Sequence, residues 1–452
     1  SKVGSSTRRR WTVSSRRSLP LLLLLLLLAA AAGAEARTVP PPRMLVIEAA
    51  TVITVSGEEH SPGMIVIEDG VLTLVGQNLD VPRSARRIRA RQEVVMPGLV
   101  IPDSSLGIAF TLRQGNFSSL SILDEIHADE FDPEPYLVAG FTAVGLIPNG
   151  AGFPGSAAVV RPNLRDGAFE LLRDRAYLPV SMRSNGRDNR AITAAFSAAR
   201  KAIEKEDAAR EKWEKEQEEK RKKAEEEAKK SGGEKSEGAK KEGEEKKPDP
   251  VFEPPPIDPN LVPLVSILRE EAGALPLLFR IGDAGNLLHL QRALEEHEAL
   301  GKERHRNLHL SPSSRSEQRP MVAPVGEMEA LVIATPEITT LPSTFTRINL
   351  PAELARAGAR LVLTPSSSTR AEFLRFRSRV AELVRSGLPR ATALEAMTLH
   401  PARFLGLDER LGTIEKGKSA DLIFLDGDPF AAATRVTRTM IAGEWAWEGD
   451  AP

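Results

Sequence analysis

The chain contains no cysteine among its 452 residues, which excludes disulfide bonds, thiolate metal ligands and a cysteine nucleophile. It also lacks an excess of either charge, because 61 lysines and arginines nearly balance 62 aspartates and glutamates. Without a basic excess, nucleic acid is not an expected partner. Hydrophobic residues make up 41% of the chain, an ordinary share for a globular protein. The length is enough for one large domain and a smaller one.

A long hydrophobic run occurs near the start of the sequence and is not repeated later. Five arginines between Arg8 and Arg17 precede the leucines of 21–28 and the alanines that follow. Small residues at 34–36 complete the pattern of a secretory signal peptide over residues 1–36. We therefore expect a periplasmic or extracellular protein with no stable membrane anchor after cleavage; an uncleaved anchor is the alternative. The pair Arg16 and Arg17 also fits a twin-arginine signal, so the export route stays open.

The two ends of the remaining chain are rich in short β-strand patterns. Apolar, β-branched runs recur between residues 43 and 96, and Asp69-Gly70 marks a hairpin turn there. Similar runs begin at Ala420, Thr439 and Glu444. These patterns predict one composite β-sandwich, built from residues 43–96 and 405–450.

Between these ends, strand patterns alternate with helix patterns. Strands are expected in 141–147, 157–160, 275–280, 331–334 and 361–363, and helices in 287–300, 351–357, 371–385 and 391–398. Alternation of this kind predicts a parallel sheet, and this length favours closure into a (β/α)8 barrel of the TIM type over residues 97–404.

A charged segment, 201–258, interrupts the barrel pattern. Its first 47 residues hold equal numbers of basic and acidic side chains, with almost no apolar residue after Trp213. Such a segment can bury nothing, so we expect a solvated helix that continues as a partly disordered insert. A partner-binding arm is the alternative interpretation.

The segment Gly412 to Ser419 matches the phosphate-binding pattern G-x-x-x-x-G-K-S. A phosphate loop must open a helix, so that backbone N–H groups converge on the phosphates. A strand pattern follows here instead, which indicates an accidental match and no nucleotide cofactor.

The same region carries a different signature. The sequence from Leu394 to Leu425 contains the runs EAMTLHPARFLGL and LGTIEKGKSADLIFL, and the earlier segments IEDGVLTLVG and VMPGLV begin at Ile67 and Val95. These motifs resemble those of the metal-dependent amidohydrolase superfamily, and Gly140-Phe-Thr-Ala-Val is similar to its imidazolonepropionase-like branch. The resemblance implies a (β/α)8 barrel, one or two divalent metals such as zinc, and hydrolysis of non-peptide, cyclic amide-type carbon–nitrogen bonds.

The chain departs from the family where the metals would bind. The family's first barrel strand ends in His-x-His, but Asp103 and Ser105 occupy those positions here. Arg280 stands where the fifth strand carries a ligand histidine, and Ser366 is the expected counterpart of the final aspartate. A cation at 280 would repel a metal, so no metal cofactor is expected.

Two further groups offer weak alternative metal ligands. Asp103, His127 and Asp129 are candidates that the fold would have to bring together. His305 and His309 have the i, i+4 spacing that shares a helix face, although strand-like residues follow the second. We therefore expect an exported, catalytically degenerate amidohydrolase. The alternative is a non-catalytic protein that binds a small-molecule ligand, or forms an oligomer with itself or with a catalytically complete amidohydrolase-like chain.

Overall fold

The computed structural model describes residues 44–105, 108, 113–126, 131–164, 169–182, 186–231, 251–296, 298–310, 318–341 and 343–449. The strands, in chain order, are β1 (Met44–Ile53), β2 (Glu59–His60), β3 (Gly63–Glu68), β4 (Val71–Gly76), β5 (Arg86–Pro97), β6 (Leu99–Ser104), β7 (Arg113–Asn116), β8 (Phe141–Leu146), β9 (Gly150–Phe153), β10 (Ala157–Pro162), β11 (Phe169–Ser181), β12 (Leu277–Ile281), β13 (Asn307–Leu310), β14 (Leu331–Ala334), β15 (Thr339–Thr340), β16 (Arg347–Ile348), β17 (Arg360–Leu363), β18 (Leu422–Leu425), β19 (Val436–Ile441) and β20 (Glu444–Glu448).

The α-helices are α1 (Glu134–Ala139), α2 (Gly186–Ser231), α3 (Val262–Leu268), α4 (Ala284–Glu296), α5 (Val322–Glu327), α6 (Leu350–Arg356), α7 (Arg370–Arg385), α8 (Arg390–Met397) and α9 (Leu399–Phe404). Local sequence explains several of their starts. Asn349 caps α6 by accepting a hydrogen bond from the Ala352 N–H, and Thr369 caps α7 in the same way. Both helices then present apolar side chains at helical spacing to the sheet, as Phe373, Phe376 and Val380 do in α7.

Strands from both parts of the chain form one eight-stranded sheet, which we call the terminal sheet. Its order is β20-β19-β18-β5-β1-β3-β4, with β2 paired to β1. The sheet curls, because the start of β4 bonds to the segment just before β18 through Leu72 and Lys418. Its concave side encloses an apolar cluster that includes Ile47, Ile65 and Phe424. The composite domain therefore has a single curled sheet at its centre.

A second sheet of ten strands contains the barrel. Eight of them follow the order β17-β14-β13-β12-β11-β10-β8-β6 and form a nearly closed barrel, which confirms the predicted fold class. Within it β10 runs antiparallel to both neighbours, whereas the other pairs are parallel. The gap between β17 and β6 is bridged by a side-chain hydrogen bond from Thr364 to Asp103.

Apolar side chains fill the barrel on both sides of its wall. Alternate residues such as Val100, Val159, Leu278 and Val362 form an interior cluster. Two larger clusters lie outside, between the strands and the helices that cover them. The interior is therefore packed, and only the two ends of the barrel offer room for polar side chains.

The charged segment belongs to a helix that starts earlier than predicted. Helix α2 is 46 residues long, and its first part packs on the barrel through Ile192, Phe196 and Ala199. The predicted disordered part falls within 232–250, which lies outside the described residues, as does the predicted signal peptide. Within the described ranges, no helix is long and apolar enough to cross a membrane.

Candidate ligand site in the barrel mouth

Several polar side chains gather at one end of the barrel, where β6, β12, β13 and β17 terminate; we call this end the barrel mouth. Asp103 lies on β6, Arg280 on β12, His309 on β13, and Thr364 directly follows β17. In the parallel register, Arg280 is opposite His309 on one side. Because parallel strands end at the same rim of a barrel, side chains far apart in sequence meet there.

Asp103 is the centre of this group. Its Oδ1 accepts a hydrogen bond of 2.9 Å from the Thr364 hydroxyl. Its Oδ2 lies 3.1 Å from Nδ1 of His309, and both side chains are under a tenth exposed. The imidazole is not aligned for a hydrogen bond, because Nδ1 is buried without a hydrogen-bond partner among the described residues. The two groups are therefore close together without a hydrogen bond between them.

The charge state of His309 follows from its surroundings. Burial is the largest influence and lowers the pKa of the imidazole; Arg280 lowers it further, and Asp103 opposes both by raising it. The net direction is downward, so the neutral imidazole is favoured near neutral pH. Of the described mouth residues, Asp103 then supplies a carboxylate, Arg280 a guanidinium and His309 a neutral ring.

Tyr177 lies beneath this group in the barrel interior. Its hydroxyl donates a 2.9 Å hydrogen bond to the carbonyl of Pro102, on the strand that carries Asp103. Complete burial raises the phenol pKa well above its ordinary value, Asp103 adds to the rise, and Arg280 opposes it. Tyr177 is therefore a protonated, apolar floor for the site.

Arg280 differs from its neighbours because its guanidinium has no hydrogen-bond or ion-pair partner within the described ranges. The side chain is partly buried, with apolar Phe279 and Ile281 on either side of it in the strand. Its charge reaches both His309 and Tyr177. A cation held in this way is available to a ligand.

The serines predicted at the family positions lie near the mouth but form other contacts. The backbone N–H of Ser105 donates to Oγ of Ser368 at 2.9 Å. Ser366 donates its hydroxyl to Glu372 at 2.6 Å, and Arg379 also binds that carboxylate. Ser366 thus takes part in a structural network on α7.

The structure brings Thr364, not Ser366, to Asp103. Thr364 is the residue that immediately follows the predicted strand 361–363, so counting from that strand's end would have found it. His309 was missed as a mouth residue because its spacing to His305 suggested a helix. That interpretation is wrong: His305 ends a 3-10 turn and His309 lies on a strand.

His305 has a structural environment away from Asp103. It accepts a hydrogen bond from the Leu277 backbone N–H at 3.2 Å, and Arg304 approaches its other ring nitrogen. Burial, with Arg304 second, lowers its pKa to about 4. The other candidates, His127 and Asp129, lie outside the described residues.

The residues at the family's metal positions do not suit a metal. A catalytic zinc site uses three protein ligands of the imidazole or carboxylate type. Among the described residues, no group of three or more such side chains is placed to hold a metal ion. Asp103 and His309 are one pair, Thr364 and Ser105 are neutral hydroxyls, and Arg280 adds a positive charge that opposes a cation.

Comparison with known proteins places this geometry in a family context. Residues 346–446 match the model of the Amidohydrolase family. N-acetylglucosamine-6-phosphate deacetylase from Homo sapiens is 41% identical over 66 residues, which is 15% of this chain and 15% of that protein. The enzyme of the same name from Haemophilus influenzae is 40% identical over 58 residues, or 13% and 14% of the two chains. The match thus spans about a seventh of the length of these curated relatives.

Solved structures resemble the whole fold. An amidohydrolase from Thermotoga maritima superposes with a TM-score of 0.66 at 19% identity, covering 90% of this chain and 100% of that one. A β-aspartyl dipeptidase from Fervidobacterium islandicum gives a TM-score of 0.51 at 14% identity, with coverage of 90% and 99%. The chain therefore resembles amidohydrolases in the sequence of residues 346–446 and in its fold. The predicted resemblance to the amidohydrolase superfamily is confirmed; the imidazolonepropionase-like branch stays a prediction.

Proposed function

We propose that this protein derives from hydrolases of non-peptide carbon–nitrogen bonds, and now binds a small molecule in the barrel mouth without metal-dependent hydrolysis. The observation that carries the proposal is the contact set of Asp103. One of its oxygens accepts from Thr364, the other faces His309, and unpaired Arg280 shares the site. The names of the matched deacetylases support the ancestral reaction class.

The chemistry of these residues explains why the ancestral reaction would be lost. A metal in such barrels lowers the pKa of a bound water and polarises the carbonyl that it attacks. Asp103 and His309 supply at most two ligands, and a guanidinium beside them disfavours a divalent cation.

The direct test is the metal content of the mature protein. We expect inductively coupled plasma mass spectrometry to find well below one zinc, iron or manganese per chain after purification without chelator and growth with all three metals. A metal held at one or two per chain, together with hydrolysis of an N-acyl or cyclic amide substrate, would support a retained hydrolase and contradict this proposal.

A restoration experiment examines the same point. The double change Asp103→His and Ser105→His recreates the family's His-x-His pair but leaves Arg280 and Thr364 in place. We expect no metal-dependent hydrolysis from this variant, because Arg280 still opposes a divalent cation and Thr364 still stands in place of an acidic ligand. Activity from the double change alone would show that the other departures do not matter.

A partner is the second part of the proposal. Barrels that have lost catalysis can act as subunits, and a catalytically complete amidohydrolase-like chain is the partner that we propose. Co-expression with such a chain, followed by light scattering on the eluted complex, tests it. A separate monomer under all conditions would remove this part while leaving ligand binding untouched.

We also propose export, on the basis of the basic and leucine-rich segment at 8–28. N-terminal sequencing of protein recovered from a secreting host should find a new terminus close to Ala36. A terminus unchanged from the translated one, in a membrane fraction, would favour an uncleaved anchor.

A further inference from the structure

We propose that Arg280 and Ser181 form a binding site for the carboxylate of a singly charged small molecule. This inference rests on the proposed function, because it specifies the ligand class of the same barrel mouth. It uses two groups that the family comparison does not assign, and each is observed independently of the other.

The first observation is the free cation. Arg280 has no hydrogen bond or ion pair with any residue in the described ranges, whereas Asp103 accepts a hydrogen bond from Thr364 and lies 3.1 Å from Nδ1 of His309. A guanidinium presents two parallel N–H donors that match the two oxygens of a carboxylate. Because the side chain is partly buried, its pairing with an anion is less screened than at the open surface.

The second observation is a free hydroxyl on the adjacent strand. Ser181 is the last residue of β11 and stands in register opposite Arg280 of β12. In-register residues of neighbouring parallel strands share a face of the sheet, so the two side chains point to the same side. Ser181 is only 7% exposed, and its hydroxyl bonds to none of the residues that the structure describes. Among the described residues, this hydroxyl has no partner that would prevent it from donating to a ligand beside Arg280.

The surrounding charges select the charge of the ligand. Asp103 contributes one negative charge and Arg280 one positive charge, and His309 favours its neutral form. A monocarboxylate leaves this site with one net negative charge. A dianion such as hydrogen phosphate or succinate would leave two, close to the carboxylate of Asp103 and with no second cation among the described mouth residues to offset it. The site should therefore prefer monoanions to dianions.

The floor of the site limits the size of such a ligand. Tyr177 is protonated and fully buried, and apolar Leu278 and Ile333 line the barrel interior beside it. Because these side chains are fully buried, the interior below Arg280 is closed, so a ligand is confined to the mouth and should be small. Short-chain monocarboxylates are thus suitable probes of the site.

The experiment measures binding of propionate to the mature protein by saturation-transfer nuclear magnetic resonance, with inorganic phosphate and succinate as comparison anions. We expect propionate to bind, and phosphate and succinate to bind more weakly. Arg280→Met keeps most of the length of the side chain but removes the charge. It should lower the affinity for propionate roughly tenfold to a hundredfold. The propionate affinity of Arg280→Lys should lie between those of the natural protein and Arg280→Met, because the charge stays but the paired donors are lost.

Two further variants complete the design. Ser181→Ala removes only the hydroxyl. It should lower the affinity for propionate several-fold and leave the protein's preference for propionate over phosphate unchanged. Arg370→Met is the matched control, since it removes an exposed arginine that pairs with Glu134 on the outer surface. Circular dichroism of each variant checks the fold; if Arg280→Met does not fold, Arg280→Lys and Ser181→Ala still decide the result.

Two results would overturn the inference: propionate affinity unchanged in Arg280→Met, or phosphate bound more tightly than propionate. The metal measurement distinguishes this failure from failure of the proposed function. A metal-containing protein whose propionate binding survives chelation would contradict the loss of the metal but keep the carboxylate site. Propionate binding that disappears with the metal would overturn both.

Discussion

At the scale of single residues, the buried Arg161 forms ion pairs outside the barrel mouth. Its guanidinium is about 5% exposed and binds Asp421 at 3.1 Å and Glu170 at 3.0 Å. Asp421 also accepts from the Ser419 hydroxyl and the Ala442 backbone N–H. One buried ion pair thus connects strand β10 of the barrel to the segment that enters β18.

Removing one member of this pair should be costly. Arg161→Met leaves the Asp421 carboxylate buried without its cation, and we expect a loss of about 3–5 kcal/mol in the free energy of unfolding. The matched control is Arg87→Met, which removes an arginine paired with Glu48 on the exposed face of the terminal sheet. That change should cost about 0–1 kcal/mol. Urea denaturation of both variants gives the comparison, and equal costs would contradict the structural role of Arg161.

His305 gives the protein a specific dependence on pH. Its folded pKa of about 4 lies below the ordinary 6.5, so between these values the unfolded chain binds a proton that the folded chain does not. Stability from this residue is therefore complete above pH 6.5 and is lost as the pH falls towards 4. The full effect is about 3 kcal/mol, since each pKa unit corresponds to about 1.4 kcal/mol.

The measurement is the free energy of unfolding against pH for the natural protein and for His305→Gln. Carboxylates titrate in the same range, so the difference between the two curves isolates the imidazole. We expect that difference to change between pH 6.5 and 4 and to be flat above pH 7. A flat difference across the whole range would show that His305 is not the titrating group.

At the scale of elements, strands β6 and β8 approach each other unusually closely beside the mouth. A Cβ added at Gly145 would lie 2.1 Å from the carbonyl oxygen of Pro102, directly before Asp103. A glycine is required here because backbone, which cannot move aside cheaply, occupies the space. The register of the two strands is irregular at the same place, between Ile101 and Ser104.

Gly145→Ala should therefore displace β6 and disturb the mouth. We expect a loss of at least about 2 kcal/mol in unfolding free energy, the order of cost for overpacking a core, together with weaker propionate binding. Gly301→Ala is the control, because no atom lies within 4 Å of its added Cβ. A Gly145→Ala protein as stable as the control would mean that the strands separate without cost.

The long helix α2 has two parts with different roles. Its first part is buried against the barrel, whereas the described side chains beyond Trp213 are mostly exposed and form i, i+4 ion pairs such as Lys222 with Glu218. Where the chain returns, the Phe252 ring packs on Trp213 and Arg210 lies over that ring. These contacts hold together the two ends of the stretch 214–251 within the charged segment.

Deleting residues 216–249 should leave the barrel intact. The described side chains in that stretch bury no apolar surface in the core, so we expect the free energy of unfolding to change by less than about 1 kcal/mol. Phe196→Ala, in the buried part of the same helix, should cost about 3–5 kcal/mol. A large loss of unfolding free energy on deletion would show that the deleted residues pack on the barrel. Loss of an oligomer without loss of stability would support a partner-binding arm.

At the scale of the whole molecule, the sequence predicted the barrel and the joining of its two ends into one β-domain. Long apolar runs such as 361–363 and amphipathic helices such as 371–385 have periodicities that local sequence displays directly. Strand β11 was not predicted, because its exposed first half is charged and lacks strand alternation. The antiparallel direction of β10 was also not predicted, since orientation depends on pairing partners distant in sequence.

The site could be predicted only in part for the same reason. Asp103 and Arg280 were found because the resemblance to the amidohydrolase superfamily places them at the ends of its first and fifth strands. The proximity of Asp103 to His309 and Thr364 depends on how strands separated by more than 200 residues are arranged around the barrel. The free hydroxyl of Ser181 depends on the register of two strands, which periodicity does not fix.

The terminal sheet has a consequence for biosynthesis. Strand β18 pairs with β5, and Arg438 of β19 reaches Glu93, 345 residues earlier in the chain. During translation, β1 to β5 therefore emerge long before the strands that complete their sheet. Their apolar face stays uncovered while the entire barrel is synthesised. Contacts this distant are slow to form, and an unpaired strand edge invites association with other chains. The nascent protein would thus depend on holding factors until its last strands are made, and a message truncated before Leu422 would yield an aggregating product.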